Sequence, residues 1–182
     1  MPHPKNSELF DAFAEDMLAE RSARPLIIVG ATKVDHLLFE ILRQFLLPKI
    51  AKARDQDELL EGDTPLATFN ARIKICRRLG LLDETLYRIL EQLRTLRNLA
   101  AHRIVFDVAK SPAREHLAEL RRQIHSRHSY RLTKERYFDS TLYPPIEELQ
   151  CLLLTLCVLL EAIREKVSPT VGNKSALSIA AK

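Results

Sequence analysis

Hydrophobic residues recur every three to four positions through most of this chain, the spacing that places side chains on one face of an α-helix. The pattern is clearest where Leu86, Leu90, Leu93 and Leu96 form a single stripe. No stretch alternates between apolar and polar residues for long enough to build a sheet. We therefore predict an all-α protein, a single helical bundle of about six helices. The predicted helices are residues 7–21, 25–48, 65–79, 83–102, 112–125 and 145–167.

Start and stop signals define several of these boundaries. Thr64 followed by Pro65 is typical of an N-cap with proline at the first helical position, and Asp83 is a second N-cap candidate. Gly80 can end the third helix in a left-handed conformation. The apolar residues 104–106 fit either a frayed helix end or a short extended piece. The start of the fourth helix is therefore well defined by sequence, whereas its end has two interpretations.

The segments outside these helices have a different composition. Residues 55–65 form an acidic connection, and residues 126–138 have the pattern of a flexible, basic loop. Residues 168–182 contain Pro169 and many small side chains, which is typical of a disordered tail. We predict one helical domain over residues 1–167, long enough to bury a substantial core, followed by a flexible tail.

Composition bounds the compartment and the kinds of site. Cys76, Cys151 and Cys157 lie in apolar helical stretches, so we predict buried free thiols and no zinc site. An odd number of unpaired cysteines favours a reducing, cytoplasmic location. The most apolar run, residues 151–160, is about half of the roughly 20 residues that span a bilayer, so no membrane segment is predicted. No clustered set of carboxylates or Cys/His residues indicates a metal or another cofactor.

Positive charge is concentrated in one part of the chain. The formal net charge is +4, whereas residues 110–137 contain eight Lys or Arg against three Glu, a local balance of +5. Such a segment can bind a polyanion such as RNA or DNA. The alternative is a solvated helix face followed by a loop. The candidate nucleic-acid-binding residues are Arg121, Arg122, Arg127, Arg131 and Lys134.

A candidate catalytic motif lies at the end of the fourth helix, where the chain reads LRTLRNLAAH. A neutral His102 could take the proton from a ribose 2′-hydroxyl, and Arg97 could stabilise the charge that develops on the phosphate. Asn98 could orient either group, and no metal is needed. The alternative is helix termination, because His102 and its neighbours interact favourably with the helix dipole.

Helix geometry limits how this motif can assemble. Asn98 and His102 are four residues apart and lie about 40° apart around the helix, so they share a face. Arg97 lies about 140° from His102, although its long side chain can swing back toward it. The groups converge if the helix ends early or if a second subunit supplies the missing half. We therefore predict a homodimer.

The pattern R-N-x-x-x-H resembles the signature of the HEPN superfamily, all-helical domains that include metal-independent endoribonucleases and toxin components. A longer block, residues 62–102, resembles the mannitol operon repressor (MltR-like) family, itself a HEPN-like helical group. The shared elements are G-D-x-P-L, A-R-I-K, L-G-L-L and the final R-N-x-x-A-H. The resemblance implies that Arg97 and His102 match the catalytic pair and Asn98 its polar neighbour. The repressor-like branch is not generally regarded as enzymatic.

Taken together, the pattern and the resemblance favour a regulatory role over an enzymatic one. We predict a cytosolic regulatory protein that acts through protein or nucleic-acid contacts, with transcription regulation implied by the resemblance. The first alternative is a metal-independent HEPN-type endoribonuclease that cuts RNA across a dimer. The second is an antitoxin-like or scaffold protein in which the motif is vestigial.

Overall fold

The computed structural model of the chain describes residues 6–46, 57–138 and 142–169, which form seven α-helices and no strand. The prediction of an all-α bundle is confirmed, with one helix more than the six that the pattern indicates. The helices are α1 (Asn6–Ala19), α2 (Ala23–Phe45), α3 (Phe69–Arg78), α4 (Glu84–His102), α5 (Ala113–Ile124), α6 (His128–Tyr137) and α7 (Ile146–Lys166).

The centre of the bundle is the pair α2 and α7, which pack against each other along their length. Leu38 of α2 and Leu154 of α7 are completely buried, and each buried leucine contributes about 1.5–3 kcal/mol of transfer free energy. Gly30 allows the close approach, since a Cβ there would lie 2.8 Å from Cδ1 of Leu153. None of the described helices is long and apolar enough to cross a membrane.

Helix α4 packs against α2, α3 and α5, and its predicted leucine stripe is buried. The predicted signals at its start are confirmed. A side-chain oxygen of Asp83 accepts a hydrogen bond from the backbone N–H of Leu86 at 2.6 Å, and Gly80 has a φ of 74°. The turn between α3 and α4 is therefore short, and it fixes the direction in which α4 leaves.

The predicted start of the third helix at Pro65 is wrong. Helix α3 begins four residues later, at Phe69, where the side chain of Thr68 accepts from the N–H of Ala71. Thr64 has a different role, because its hydroxyl donates to the carbonyl of Leu59 at 2.7 Å and closes a turn. A Thr–Pro pair is compatible with a helix start and with a turn, and the hydrogen bond from Thr64 to Leu59 selects the turn.

The predicted basic loop at residues 126–138 is also wrong, because α6 occupies most of it. Tyr130 and Thr133 are buried, and the helix lies against α7. Burial raises the pKa of Tyr130 to about 12. A buried face made of a tyrosine and a threonine has little hydrophobic periodicity, so the sequence pattern could not reveal it.

The three cysteines are buried and free, as predicted. Burial raises the pKa of Cys76 and Cys157 to about 12 and that of Cys151 to about 11. These thiols therefore stay protonated and unreactive at neutral pH. The predicted tail lies outside the described residues from position 170 onward.

Candidate functional site

The end of α4 is held by a side chain from another helix. Arg24, in the first turn of α2, donates from Nη2 to the backbone carbonyls of Arg103 and Ile104, both at 2.9 Å. Its guanidinium also lies over the ring of Phe106, 5.8 Å from the centroid. These carbonyls follow the helix, where backbone acceptors have no partner within it. Arg24 thus caps the end of α4, a role that no local sequence signal indicates.

Beyond His102 the backbone leaves the helix in an extended conformation. Arg103 has φ −85° and ψ 128°, and its N–H still donates to the carbonyl of Leu99. Residues 104–106 therefore belong neither to a frayed helix end nor to a regular extended piece, because the backbone bends at Ile104 and Val105. Ile104 and Val105 point into solvent, 96% and 83% exposed. Two adjacent aliphatic side chains are thus presented on a backbone that Arg24 holds in place.

All three residues of the candidate catalytic motif lie on the last two turns of α4. Arg97 and His102 are exposed and Asn98 is half-buried. Nη1 of Arg97 donates to Oδ1 of Asn98 at 3.3 Å, so the arginine side chain does reach toward the face that Asn98 and His102 share. Within the described part of the chain, the side chain of His102 makes no hydrogen bond or ion pair. The structure therefore joins Arg97 and Asn98 by a hydrogen bond and shows no hydrogen bond from either to the side chain of His102.

This arrangement bears on the two interpretations of the motif. Arg24 already binds the carbonyls beyond the helix end, so His102 adds at most its interaction with the helix dipole, about 0.3–1 kcal/mol. A solvent-exposed imidazole beside a guanidinium is chemically able to exchange a proton next to a bound phosphate. Both interpretations stay predictions.

The candidate nucleic-acid-binding residues lie on α5, on the following turn and on α6. Three of them form ion pairs, Arg121 with Glu148, Arg122 with Glu119 and Arg131 with Glu135. Hydrogen bonds from Arg122 and Gln123 lower the pKa of Glu119 to about 2, so that carboxylate stays ionised. Arg127 and Lys134 form no ion pair within the described residues. The sequence count of charges therefore overstates the free positive charge of this surface.

Comparison with solved structures shows the fold. The chain is similar to a possible transcriptional regulator, YggD, from Shigella flexneri, with a TM-score of 0.59 and 12% identity over 87% of this chain and 96% of that one. It is also similar to a chain of the MtlR-HPr complex from Escherichia coli, with a TM-score of 0.53 and 20% identity over 84% and 99% of the two chains. No protein-family model and no curated protein matches the sequence. The chain therefore has an MtlR-like fold, as the resemblance implied.

Proposed function

We propose that this chain is a regulatory protein that acts by binding another protein. The observation that carries the proposal is the pair Ile104 and Val105, which are exposed on a backbone fixed by Arg24. Isolated exposed aliphatic residues are common, but an adjacent β-branched pair held rigidly costs little entropy to bury. Such side chains would contribute apolar area to a protein interface that covers them.

The fold supports the same proposal. A chain of this fold is found in the MtlR-HPr complex, and another is described as a possible transcriptional regulator. The proposal assigns a protein contact to the present chain and leaves the regulated genes open. Transcription regulation enters through this likeness and the sequence resemblance alone.

Direct nucleic-acid binding through α5 and α6 is the less favoured form of the proposal. Three of its five candidate residues already have carboxylate partners. Binding to a polyanion would have to replace those contacts, which reduces the gain from counterion release.

Titration of the full chain with Escherichia coli HPr, followed by calorimetry, tests the protein contact. We expect a one-to-one complex with an affinity in the micromolar range or tighter, about −8 kcal/mol or more. Absence of any complex would remove HPr as the partner. Ile104→Ser combined with Val105→Ser should weaken this complex. The matched control is Leu132→Ser, which removes a half-exposed aliphatic side chain from α6.

The second candidate function is a metal-independent endoribonuclease. It is favoured by the exposure of Arg97 and His102 and by the absence of any partner of His102 among the described residues. RNA cleavage in EDTA should be lost in Arg97→Ala and in His102→Ala and retained in Arg43→Ala, which removes a guanidinium from the last turn of α2. Clean wild-type protein that leaves RNA intact would remove this candidate.

We also propose that the protein is a cytosolic homodimer with one helical domain. The three unpaired cysteines favour a reducing compartment. Sedimentation equilibrium of the full chain should give twice the mass of one chain. A monomer at all concentrations would exclude a catalytic site shared between subunits.

A further inference from the structure

A cavity lies beside the exposed pair at the end of α4. It has a volume of about 180 Å³, and its apolar lining includes Leu99, Phe106 and Pro112. Arg103 and Lys110 also line it. A cavity of this size accommodates one side chain of a partner, not a drug-sized ligand. We name residues 103–113, with this cavity, the α4 edge.

The α4 edge carries an excess of positive charge. Asp107 is the one carboxylate that lines the cavity, against the two cations, and it lies 3.7 Å from Lys110. Arg103 and the nearby Arg97 are exposed and form no ion pair within the described residues. An anionic group that enters the cavity would therefore meet a guanidinium whose charge is not compensated. Arg24 adds a further cation at the base of the segment, where it bonds the two carbonyls.

We propose that the α4 edge binds a partner protein that presents an acidic side chain flanked by apolar ones. The carboxylate enters the cavity and pairs with Arg103 and Lys110, while the apolar neighbours cover Ile104 and Val105. This inference rests on the proposed function and names the chemistry of the partner. It combines an apolar anchor with charge complementarity, which favours the correct partner and speeds encounter.

Two other occupants fit the α4 edge less well. A second copy related by a two-fold axis would bring two copies of the same net-positive surface together, because such an interface uses the same patch on both subunits. Like charges at short distance oppose that association. A nucleic acid would satisfy Arg97 and Arg103 but would leave Ile104 and Val105 uncovered, because phosphate contacts are polar. A protein with an acidic and apolar surface satisfies both requirements.

The test uses a phage library of random dodecapeptides, selected on the full wild-type chain. We expect enriched peptides that place Asp or Glu next to large apolar residues, with affinity that falls as salt concentration rises. Ile104→Ser combined with Val105→Ser should weaken these peptides about tenfold, the typical effect of removing an interface anchor. Lys110→Glu should weaken them similarly through its charge. Leu132→Ser is the matched control and should leave the affinity unchanged.

Several results would overturn the inference. These are selection of no peptide, enrichment of neutral or basic peptides, and equal binding to wild type and to the variants of the α4 edge. Loss of a homodimer in the same variants would assign the edge to a second copy, and loss of RNA binding would assign it to nucleic acid. Each variant should fold, because the substituted side chains are exposed. The melting temperature of each variant checks this.

Failure of this inference can be distinguished from failure of the proposed function. If HPr binds wild type and the edge variants equally, the chain binds a protein elsewhere, and only the assignment of the α4 edge is wrong. If acidic peptides bind the α4 edge and HPr does not bind, the assignment of the α4 edge is retained and the partner is a different protein. If neither binds, both proposals fail.

Discussion

Replacing Arg24 by alanine should loosen the end of α4 while leaving the rest of the bundle intact. The variant loses two charge-assisted hydrogen bonds, to the carbonyls of Arg103 and Ile104 at 2.9 Å, and the contact with the ring of Phe106. A hydrogen bond to a charged group contributes about 1.5–3 kcal/mol, but these two share one nitrogen and lie at the surface. The cation–π contact adds about 0.5–1 kcal/mol. We therefore expect a total loss of about 1–2 kcal/mol.

Urea unfolding followed by far-UV circular dichroism measures that loss, and backbone amide relaxation at Ile104 and Val105 reports the order of the segment. In Arg24→Ala the unfolding free energy should fall and the amide order parameters should drop on the ps–ns timescale. Arg24→Lys is the matched control, since its ammonium group keeps the charge but not the planar fork. Its unfolding free energy and order parameters should lie between those of the wild type and those of Arg24→Ala. An unchanged free energy together with unchanged order would refute the role of Arg24 as the cap of α4.

Three further predictions concern single positions. Arg97→Ala should change the unfolding free energy by no more than about 0.5 kcal/mol, because its side chain is exposed, and His102→Ala by no more than about 1 kcal/mol, the upper value of its interaction with the helix dipole; a larger loss in urea unfolding would indicate a structural role. Asp83→Ala should cost about 1 kcal/mol, because the N–H of Leu86 loses its acceptor, and Asp83→Asn, which keeps an acceptor, should recover most of that loss in the same assay. Cys157 has a pKa raised to about 12 by burial, so at pH 8 it should react with iodoacetamide only after denaturation, and modification of the folded chain would contradict its burial.

The sequence predicted the helices with strong hydrophobic periodicity and local caps. The leucine stripe and Asp83 define α4, and each is a signal that can be recognised from residues close in sequence. The errors fall where a specific side-chain contact decides and not a periodic pattern. The start of α3 depends on the hydrogen bond from Thr64 to Leu59, and α6 depends on burying Tyr130 against α7. Neither contact leaves a periodic pattern in the sequence.

The candidate site could be predicted only in part for the same reason. Spacing alone indicates that Asn98 and His102 share a face of α4 and that Arg97 has to swing toward them. The Arg24 cap joins residues about 80 positions apart, as its bond to Ile104 shows, so no local pattern reports it. The cavity of the α4 edge depends on the turn that leads into α5 as well as on α4. The predicted basic surface stays a prediction, and the sequence could not show that three of its cations lie beside carboxylates, because a count of charges does not reveal pairing.

The two candidate functions compete for the same end of α4, and this restricts both. His102 is directly followed by Arg103, which the inferred partner would pair with, and Ile104 and Val105 come next. A protein seated on the α4 edge would therefore bring its acidic side chains to Arg103, one residue beyond His102. Those carboxylates would repel a phosphodiester at the adjacent motif electrostatically. If both proposals hold, an enzymatic role of the motif requires an unoccupied α4 edge, and a protein bound there should inhibit RNA cleavage.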